Sequence, residues 1–227
     1  MIVLTNVSKS YNDKTALRDL SFKTKEGEII GFLGPNGAGK TTTMRLILGL
    51  LVPSSGDITI ENIDPKKDRT HIMKKVGYLP ENNPLYPDML VREYLQFIAD
   101  IKKVSDYRYL LEEVGLTDVI DTKIENLSRV YKQRVGLAAA LMGAPSILLL
   151  DEPTSGLDPL EQEKIRELIK KISKKKTIIF STHILSEAEE IASRVIIIDH
   201  GCKMYDGEKP QGKGAVEKLF RKVVKSD

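Results

Sequence analysis

The chain of 227 residues is long enough for one large domain or for one domain with an inserted lobe. Hydrophobic residues make up 41% and charged residues 30%, which is the balance of an ordinary globular protein. Because the 35 basic residues are interspersed with 32 acidic ones, the net charge of +3 does not predict a nucleic-acid partner.

Cysteine usage and apolar run lengths indicate the compartment. Cys202 is the only cysteine, so no internal disulfide can form, and a reducing environment fits. The N-terminal residues lack the apolar core of a signal peptide. The longest apolar runs fall far short of the ~20 residues that a membrane helix needs. We therefore expect a cytoplasmic protein, and any work at a membrane would need a spanning part from another chain.

Near the N-terminus, short alternating stretches in residues 2–22 and 57–79 predict an antiparallel sheet at one edge. Longer apolar runs follow, in GEIIGFLGPNG, PSILLLDEP, KTIIFSTH and SRVIIIDHG. Runs of this kind are typical of strands buried on both faces of a parallel sheet. Helical patterns over 41–51, 160–173 and 184–193 come after such runs. Strand and helix in alternation predict an α/β layered domain.

Residues 90–143 interrupt this alternation. Apolar residues there recur at spacings of three and four, in LVREYLQFIADI, YRYLLEEVGL and VYKQRVGLAAALMG, with almost no strand pattern. We predict one domain with a core over 1–82 and 144–212, an inserted helical lobe over about 83–143, and a C-terminal helix and tail over 213–227. The last charged residues of the tail are expected to be frayed.

Residues 34–41 read GPNGAGKT, the G-x-x-x-x-G-K-T pattern of a P-loop. The motif follows an apolar run and opens a helical pattern, which is the context it requires. Its glycines let backbone N–H groups turn inward around phosphate oxygens at a helix N-terminus. Lys40 would reach the β- and γ-phosphates, Thr41 would bind Mg²⁺, and Thr42 could contact the α-phosphate. The nucleotide-binding residues predicted here are Gly34, Pro35, Asn36, Gly37, Ala38, Gly39, Lys40, Thr41 and Thr42.

Three further residues stand at the ends of two apolar runs. Asp151 follows SILLL and fits a carboxylate that holds Mg²⁺ through water, and Glu152 would polarise the attacking water as general base. Next to a P-loop, this pair is better explained by catalysis than as solvated loop acids. His183 ends the run FSTH and could hydrogen-bond the γ-phosphate, although a single histidine at a strand end is more often structural.

The order of these motifs resembles the nucleotide-binding subunit of ABC transporters, from about residue 1 to 212. Besides the P-loop, the resemblance rests on DEPTSGLDP, on THILSEAEEI and on Leu127-Ser128 with Gln133-Arg134, the frame of the LSGGQxQR signature. It implies a P-loop NTPase core with a mostly parallel sheet, an N-terminal antiparallel β subdomain and an inserted α-helical subdomain. It also implies that Tyr11 stacks on adenine and that 155–158 form the D-loop, which ends at Asp158. Two such subunits would enclose two ATPs head to tail, each ATP closed by the other subunit's signature.

The chain departs from the family pattern in the Q-loop and in the signature. Glu81 takes the place of the usual glutamine, and its carboxylate can still bind Mg²⁺ or orient water. Arg129 and Tyr131 resemble the residues found at these signature positions in one branch of exporters. Glu81 resembles the Q-loop residue of the same branch. Val130 replaces the second signature glycine. We expect its β-branched side chain to obstruct the N–H groups that meet the opposite ATP and to disfavour positive φ, which would weaken the signature formed with Ser128.

The resemblance implies a motor subunit that hydrolyses ATP with Mg²⁺ and drives a separate transmembrane permease. The chain would then lie on the inner face of the cell membrane, and Pro84, Tyr86, Pro87 and Met89 would contact the permease or pack as a simple loop. A second ATPase subunit would complete a homodimer or a heterodimer. A permease-free ATPase, such as a cluster-assembly scaffold, stays open. The coiled coils of DNA-repair relatives and the tandem domains of translation factors are missing from the sequence pattern.

Overall fold

The computed structural model describes residues 1–12, 14–174 and 176–224. The predicted fraying of the last charged residues concerns 225–227, which lie outside this part of the chain. The strands are β1 (Ile2–Tyr11), β2 (Lys14–Lys23), β3 (Ile29–Leu33), β4 (Ser55–Ile60), β5 (Val76–Leu79), β6 (Ile147–Asp151), β7 (Thr177–Thr182), β8 (Arg194–Asp199) and β9 (Cys202–Glu208). The helices are α1 (Lys40–Ile47), α2 (Arg69–Lys75), α3 (Val91–Lys102), α4 (Arg108–Val114), α5 (Arg129–Leu141), α6 (Pro159–Ile172), α7 (Leu185–Ile191) and α8 (Ala215–Val223).

The main sheet has the strand order β5-β6-β7-β3-β8-β9. Strands β5, β6, β7, β3 and β8 are parallel, and β9 adds an antiparallel edge beside β8. Every residue of β6 and β7 is buried, as continuous apolar runs predict. The mostly parallel α/β core is therefore confirmed. Because the strands are parallel, the P-loop, Asp151 and His183 all follow carboxyl ends at one edge of the sheet.

The second sheet is antiparallel, with the order β2-β1-β4, and confirms the predicted β subdomain. One assignment to it was wrong. Residues 76–79 were predicted to join this sheet, but they form β5, which pairs in parallel with β6. The segment Val-Gly-Tyr-Leu is short and includes a glycine and a tyrosine, so it lacks the continuous apolar run that marks the other parallel strands.

Helices α3, α4 and α5 follow one another between β5 and β6, where the sequence predicted a helical lobe. Helix α5 packs closely on β5: a Cβ built on Gly77 would lie 2.1 Å from the carbonyl oxygen of Ala140. A glycine is therefore required there for the backbones of the strand and the helix to approach. This contact fixes the C-terminal end of α5 relative to the main sheet.

Two apolar cores lie on the two faces of the main sheet. Along β6, Leu148 and Leu150 face the core shared with α3, α5 and α6, while Ile147 and Leu149 face the core shared with α1 and the antiparallel sheet. This alternation is the ordinary period of a strand, although both sets of side chains are apolar. The sheet edge that carries the P-loop is thus held from both sides.

Some boundaries differ from the expectation. Helix α1 was predicted to run to residue 51 but ends at Ile47, because Gly49 adopts a φ of 65° and terminates it. Helix α8 was predicted from its apolar spacing, and its residue Val216 is fully buried in the core beside α7. Within residues 1–12, 14–174 and 176–224, no helix is both long enough and apolar enough to cross a membrane.

Candidate functional site

The P-loop joins β3 to α1 and is shaped by glycines with positive φ. Gly37 has a φ of 81°, and Gly39, which precedes α1, has a φ of 108°. A Cβ on Gly39 would lie 2.7 Å from the carbonyl oxygen of Ala16, so no larger residue fits without displacing the neighbouring strand. The backbone therefore turns tightly before the helix and presents N–H groups at a helix N-terminus.

The Lys40 ammonium group is buried in this loop, with 7% of its side chain exposed. It donates to the carbonyl oxygens of Gly34 at 2.8 Å and Pro35 at 3.2 Å, and it lies 3.2 Å from Glu152 Oε1. An ammonium group has three donors, and these three oxygens match them. The cation is therefore held at the mouth of the loop, where a phosphate chain would lie.

Ser181 holds the end of β6 in register with β7. Its hydroxyl donates to Asp151 Oδ1 at 2.5 Å, while the Glu152 N–H lies 2.9 Å from the same hydroxyl oxygen and 3.2 Å from the Ser181 carbonyl oxygen. Asp151 is fully buried. One side chain on the neighbouring strand thus fixes both acidic residues.

Glu152 links two cationic or hydrogen-bonding groups across the site. Its Oε1 faces Lys40, and its Oε2 lies 2.9 Å from His183 Nδ1. The residue has a φ of 48°, a left-handed conformation that is unusual outside glycine and that turns the carboxylate away from the strand direction. His183 is half-exposed at the end of β7, so the pair stands at the boundary between core and solvent.

The residues present fit a Mg²⁺ ion bound mainly by nucleotide and water. The second carboxylate oxygen of Asp151, Oδ2, is buried and accepts no hydrogen bond from the described residues. Such an oxygen suits a cation or its bound water. No group of three or more His, Cys, Asp or Glu side chains gathers in the described chain as a closed metal site. An ion that keeps several waters and binds phosphate would not need one.

An open cavity of about 450 Å³ lies in front of the P-loop. It brings together predicted residues that are far apart in the sequence, including Tyr11 from β1, Glu81 after β5 and Glu152. Tyr11 is 44% exposed, and the Lys9 ammonium lies 5.0 Å from the centroid of its ring. The remaining lining residues are Lys14, Ala16, Asn36, Gly37, Gly39, Lys40, Thr41 and Thr42.

The predicted signature residues do not line this cavity. They begin α5, whose N-cap Ser128 accepts from the N–H of Tyr131 at 3.5 Å. Ser128 and Arg129 are exposed, so the first turn of the helix and its free N–H groups face outward. This surface is open to another molecule.

The expectation for the Val130 side chain is wrong in this structure. Val130 is only 8% exposed and packs in the apolar core of the helical region. Its backbone is helical, with no positive φ. A helix N-terminus needs no left-handed residue at this point, and the isopropyl group has a place in the core. The effect of Val130 on activity stays a prediction.

The D-loop lies beside the signature helix and is tied to it. Arg129 Nη1 donates to the Gly156 carbonyl oxygen at 2.8 Å, and Gln133 Nε2 donates to the Pro153 carbonyl oxygen at 2.7 Å. Asp158 does not enter the cavity; it caps α6 by accepting from the Glu161 N–H at 2.9 Å. Signature and D-loop thus form one surface outside the cavity.

Sequence reasoning missed the polar residues that hold the loops. Ser181, Thr154 and Glu187 are all buried, and each makes side-chain hydrogen bonds next to Asp151, Glu152 or His183. The available signal was a polar residue within a buried strand, as in the Ser-Thr pair of FSTH. Tyr78 also was not singled out: burial and the nearby Asp151 charge raise its pKa to about 12.

A P-loop after a parallel strand, a histidine after the neighbouring strand and an Asp-Glu pair at the end of the strand beyond it define a P-loop nucleoside triphosphatase. The ABC transporter family model matches residues 17–155. A second model, described as an AAA domain, putative AbiEii toxin, type IV TA system, matches residues 132–188. The chain belongs to the ABC transporter family.

Curated relatives agree with this assignment. The chain is 40% identical to Nod factor export ATP-binding protein I of Burkholderia orbicola (strain AU 1054), covering 89% of this chain and 69% of that protein. It is 39% identical to bacitracin transport ATP-binding protein BcrA of Bacillus licheniformis, with coverages of 88% and 67%. ABC transporter ATP-binding protein NatA of Bacillus subtilis (strain 168) is 34% identical, with coverages of 100% and 94%. Some relatives are longer: the chain spans 66% of ATP-binding protein YdbJ of the same strain.

Solved structures share the fold. The ATP-binding subunit of an ABC transporter superposes with a TM-score of 0.83 at 28% identity, covering 97% of this chain and 93% of that one. A dimeric ATP-binding cassette in a post-hydrolysis state with ADP and Pi gives the same TM-score and identity, with coverages of 93% and 100%. The family therefore includes cassettes that dimerise and hydrolyse ATP.

Proposed function

We propose that this chain binds ATP and Mg²⁺ in the cavity and hydrolyses the nucleotide. The observation that carries the proposal is the position of Glu152, whose two carboxylate oxygens meet Lys40 and His183 beside the buried Asp151. Tyr11 would stack on adenine at one end of the cavity, and Lys40 would bind the β- and γ-phosphates. Thr42 would contact the α-phosphate.

In this proposal the side chains divide the work of one displacement. Glu152 accepts a proton from water while the water oxygen attacks the γ-phosphorus and the bond to the ADP oxygen breaks. His183 hydrogen-bonds the γ-phosphate, and Glu81 orients the water. A Mg²⁺ ion held by Thr41, Asp151 and Glu81 would neutralise charge that develops on the phosphate oxygens.

A second ATPase subunit would complete the site. Ser128, Arg129, Val130 and Tyr131 would close the ATP of the opposite subunit, with the D-loop around Asp158 beside them. The exposed first turn of α5 supports this arrangement, since its N–H groups suit an anionic phosphate. Because Val130 leaves that turn open, we favour a homodimer, with a heterodimer as the alternative.

The work of the ATPase would be export through a separate transmembrane permease at the inner face of the cell membrane. The relative named for Nod factor export supports this direction, and the one named for bacitracin transport supports a role in transport. Tyr86 is 53% exposed and its ring packs 6.0 Å from that of Phe97, which gives the segment after Glu81 a partly apolar surface for the permease.

The first test is Mg²⁺-dependent ATP turnover by the purified chain beside Glu152→Gln. We expect the variant to lose about 100-fold or more in kcat, since a general base contributes on that order, while ATP still binds with similar affinity. Glu190→Gln is the matched control, because Glu190 pairs with Arg166 and Lys170 on the surface. Turnover that survives Glu152→Gln, or that needs no Mg²⁺, would contradict the proposal.

A further inference from the structure

Glu187 is a buried carboxylate for which the proposed reaction has no use. It lies on α7 with 1% of its surface exposed. Its two oxygens accept from two different hydroxyl groups, Thr154 Oγ1 to Oε1 and Thr182 Oγ1 to Oε2, the latter at 2.7 Å. No side chain of the described residues forms an ion pair with it. Burying a carboxylate without an ion pair costs desolvation free energy, so its presence here needs an explanation.

The two threonines stand at the two loops that carry the proposed catalytic groups: Thr154 lies in the loop after β6, and Thr182 is the last residue of β7, where the loop with His183 begins. Thr154 lies two residues after Glu152, in the segment that leads to the D-loop. Thr182 directly precedes His183, and its hydroxyl also accepts from the Ile184 N–H at 2.9 Å. Both threonines are buried, so these hydrogen bonds are shielded from water.

The loops therefore touch at two places. On the solvent side, Glu152 Oε2 contacts His183 Nδ1 at 2.9 Å. On the buried side, one carboxylate joins the same two segments through Thr154 and Thr182. Apolar packing, as provided by the neighbours Ala188 and Ile191, would fill this space but would not fix the rotation of either loop. Two hydroxyls directed at one carboxylate do fix it.

Burial raises the pKa of Glu187, while the hydrogen bonds from Thr154 and Thr182 and the Arg166 charge oppose the rise. The desolvation effect is the largest of these. The residue is thus kept in place against a cost, and hydrophobic residues of similar volume would avoid it. A residue retained for stability alone would have no need of two acceptors.

We propose that Glu187 is a positioning residue that holds the Thr154 and Thr182 loops together so that Glu152 and His183 stay in contact during turnover. The inference rests on the proposed ATP hydrolysis. It adds a residue that touches neither nucleotide nor water and that acts through two others.

The test is a double-mutant cycle between Glu187 and His183, measured as kcat and KM for Mg²⁺-dependent ATP turnover. Glu187→Leu keeps the volume and removes both acceptors; we expect about a tenfold or larger loss in kcat, with KM for ATP changed less than twofold. Glu187→Gln keeps one acceptor and should lose about threefold. In the His183→Ala background, Glu187→Leu should cost little more, because the contact it maintains is already gone.

Glu190→Gln, on the same helix, is the matched control and should leave kcat unchanged. If Glu187→Leu does not fold, Thr154→Val and Thr182→Val remove the hydroxyls without removing the carboxylate, and each should reproduce the Glu187→Gln loss. Additive losses in the cycle, or a loss that appears only in KM, would overturn the proposed role of Glu187 and leave the proposed ATP hydrolysis standing. A native chain without turnover would overturn the proposed function and this inference together.

Discussion

At the scale of the single residue, the side chain of Val130 anchors the first turn of α5, the signature helix, in the apolar core. It packs in the core of the helical region and leaves the outward surface of the first turn to Ser128 and Arg129. A glycine at this position would remove buried methyl groups and add backbone freedom. We therefore expect Val130→Gly to change the free energy of unfolding more than it changes kcat.

We predict that Val130→Gly lowers the free energy of unfolding by about 2–3 kcal/mol, from the lost apolar burial and from the poor helix propensity of glycine. Urea unfolding measures this change. Val130→Ala separates the two causes, because it removes methyl groups with little cost in propensity. The kcat of Val130→Gly should stay within about twofold of the native value; a tenfold acceleration would restore the idea that valine slows the signature.

Some residues of the site belong to short sequence motifs, whereas others act only through neighbours that are distant in the sequence. The P-loop, Asp151 and Glu152 could be located from the sequence, because each depends on a short motif after an apolar strand. Ser181 and Glu187 could not. Ser181 matters because β6 and β7 lie side by side, and Glu187 because α7 brings it between two loops. Such roles depend on which strands and helices become neighbours in the fold. The spacing of residues along the chain does not predict this.

At the scale of the element, the same limit explains the wrong strand assignment. Strands β6 and β7 are continuous apolar runs and were recognised, whereas β5 is short and contains Gly77. Strand β9 is an edge strand with no fully buried residue, and no expectation covered it. Helix α2 has only seven residues and depends on the Asp68 cap. Elements that gain stability from neighbours, and little from their own pattern, are the ones that sequence reasoning misses.

The contact of β5 with α5 gives a prediction at this scale. Gly77→Ala places a methyl group against the Ala140 backbone carbonyl, which cannot rotate away as a side chain could. We predict a loss of about 1–3 kcal/mol in the free energy of unfolding from overpacking. Lys74→Ala, an exposed change in the preceding helix, is the control and should stay within about 0.5 kcal/mol. Equal stability of Gly77→Ala and the native chain in urea would show that α5 shifts freely on the sheet.

At the scale of the whole molecule, the cavity at the P-loop and the surface formed by the first turn of α5 are separate. Hydrogen bonds connect the two regions. From the signature helix, Gln133 donates a hydrogen bond to the loop after Glu152, and Arg129 donates one to the D-loop. A change at Glu152 can therefore reach the first turn of α5 within one chain. That turn does not line the cavity of its own chain. In the proposed dimer its exposed N–H groups would meet the nucleotide of the second subunit.

This arrangement makes a prediction about mixtures of inactive chains. Lys40→Ala disables a chain's own cavity, and Ser128→Arg blocks the surface it offers to a partner. Each variant alone should lack turnover, but an equal mixture forms dimers in which one cavity and one signature are both native. About a quarter of native turnover should return, since about half the dimers are mixed and each has one good site.

The matched control mixes native chain with a chain carrying both Lys40→Ala and Ser128→Arg, where the mixed dimer contains no composite native site. Only the native homodimers, about a quarter of all dimers, should then turn over. Diluting either mixture should lower its specific activity, because dimers dissociate. If the first mixture stays inactive while the native chain is active, each cavity works with its own chain, and the head-to-tail dimer is wrong. If the native chain alone is inactive and stays monomeric with ATP, the homodimer and the proposed turnover are both wrong.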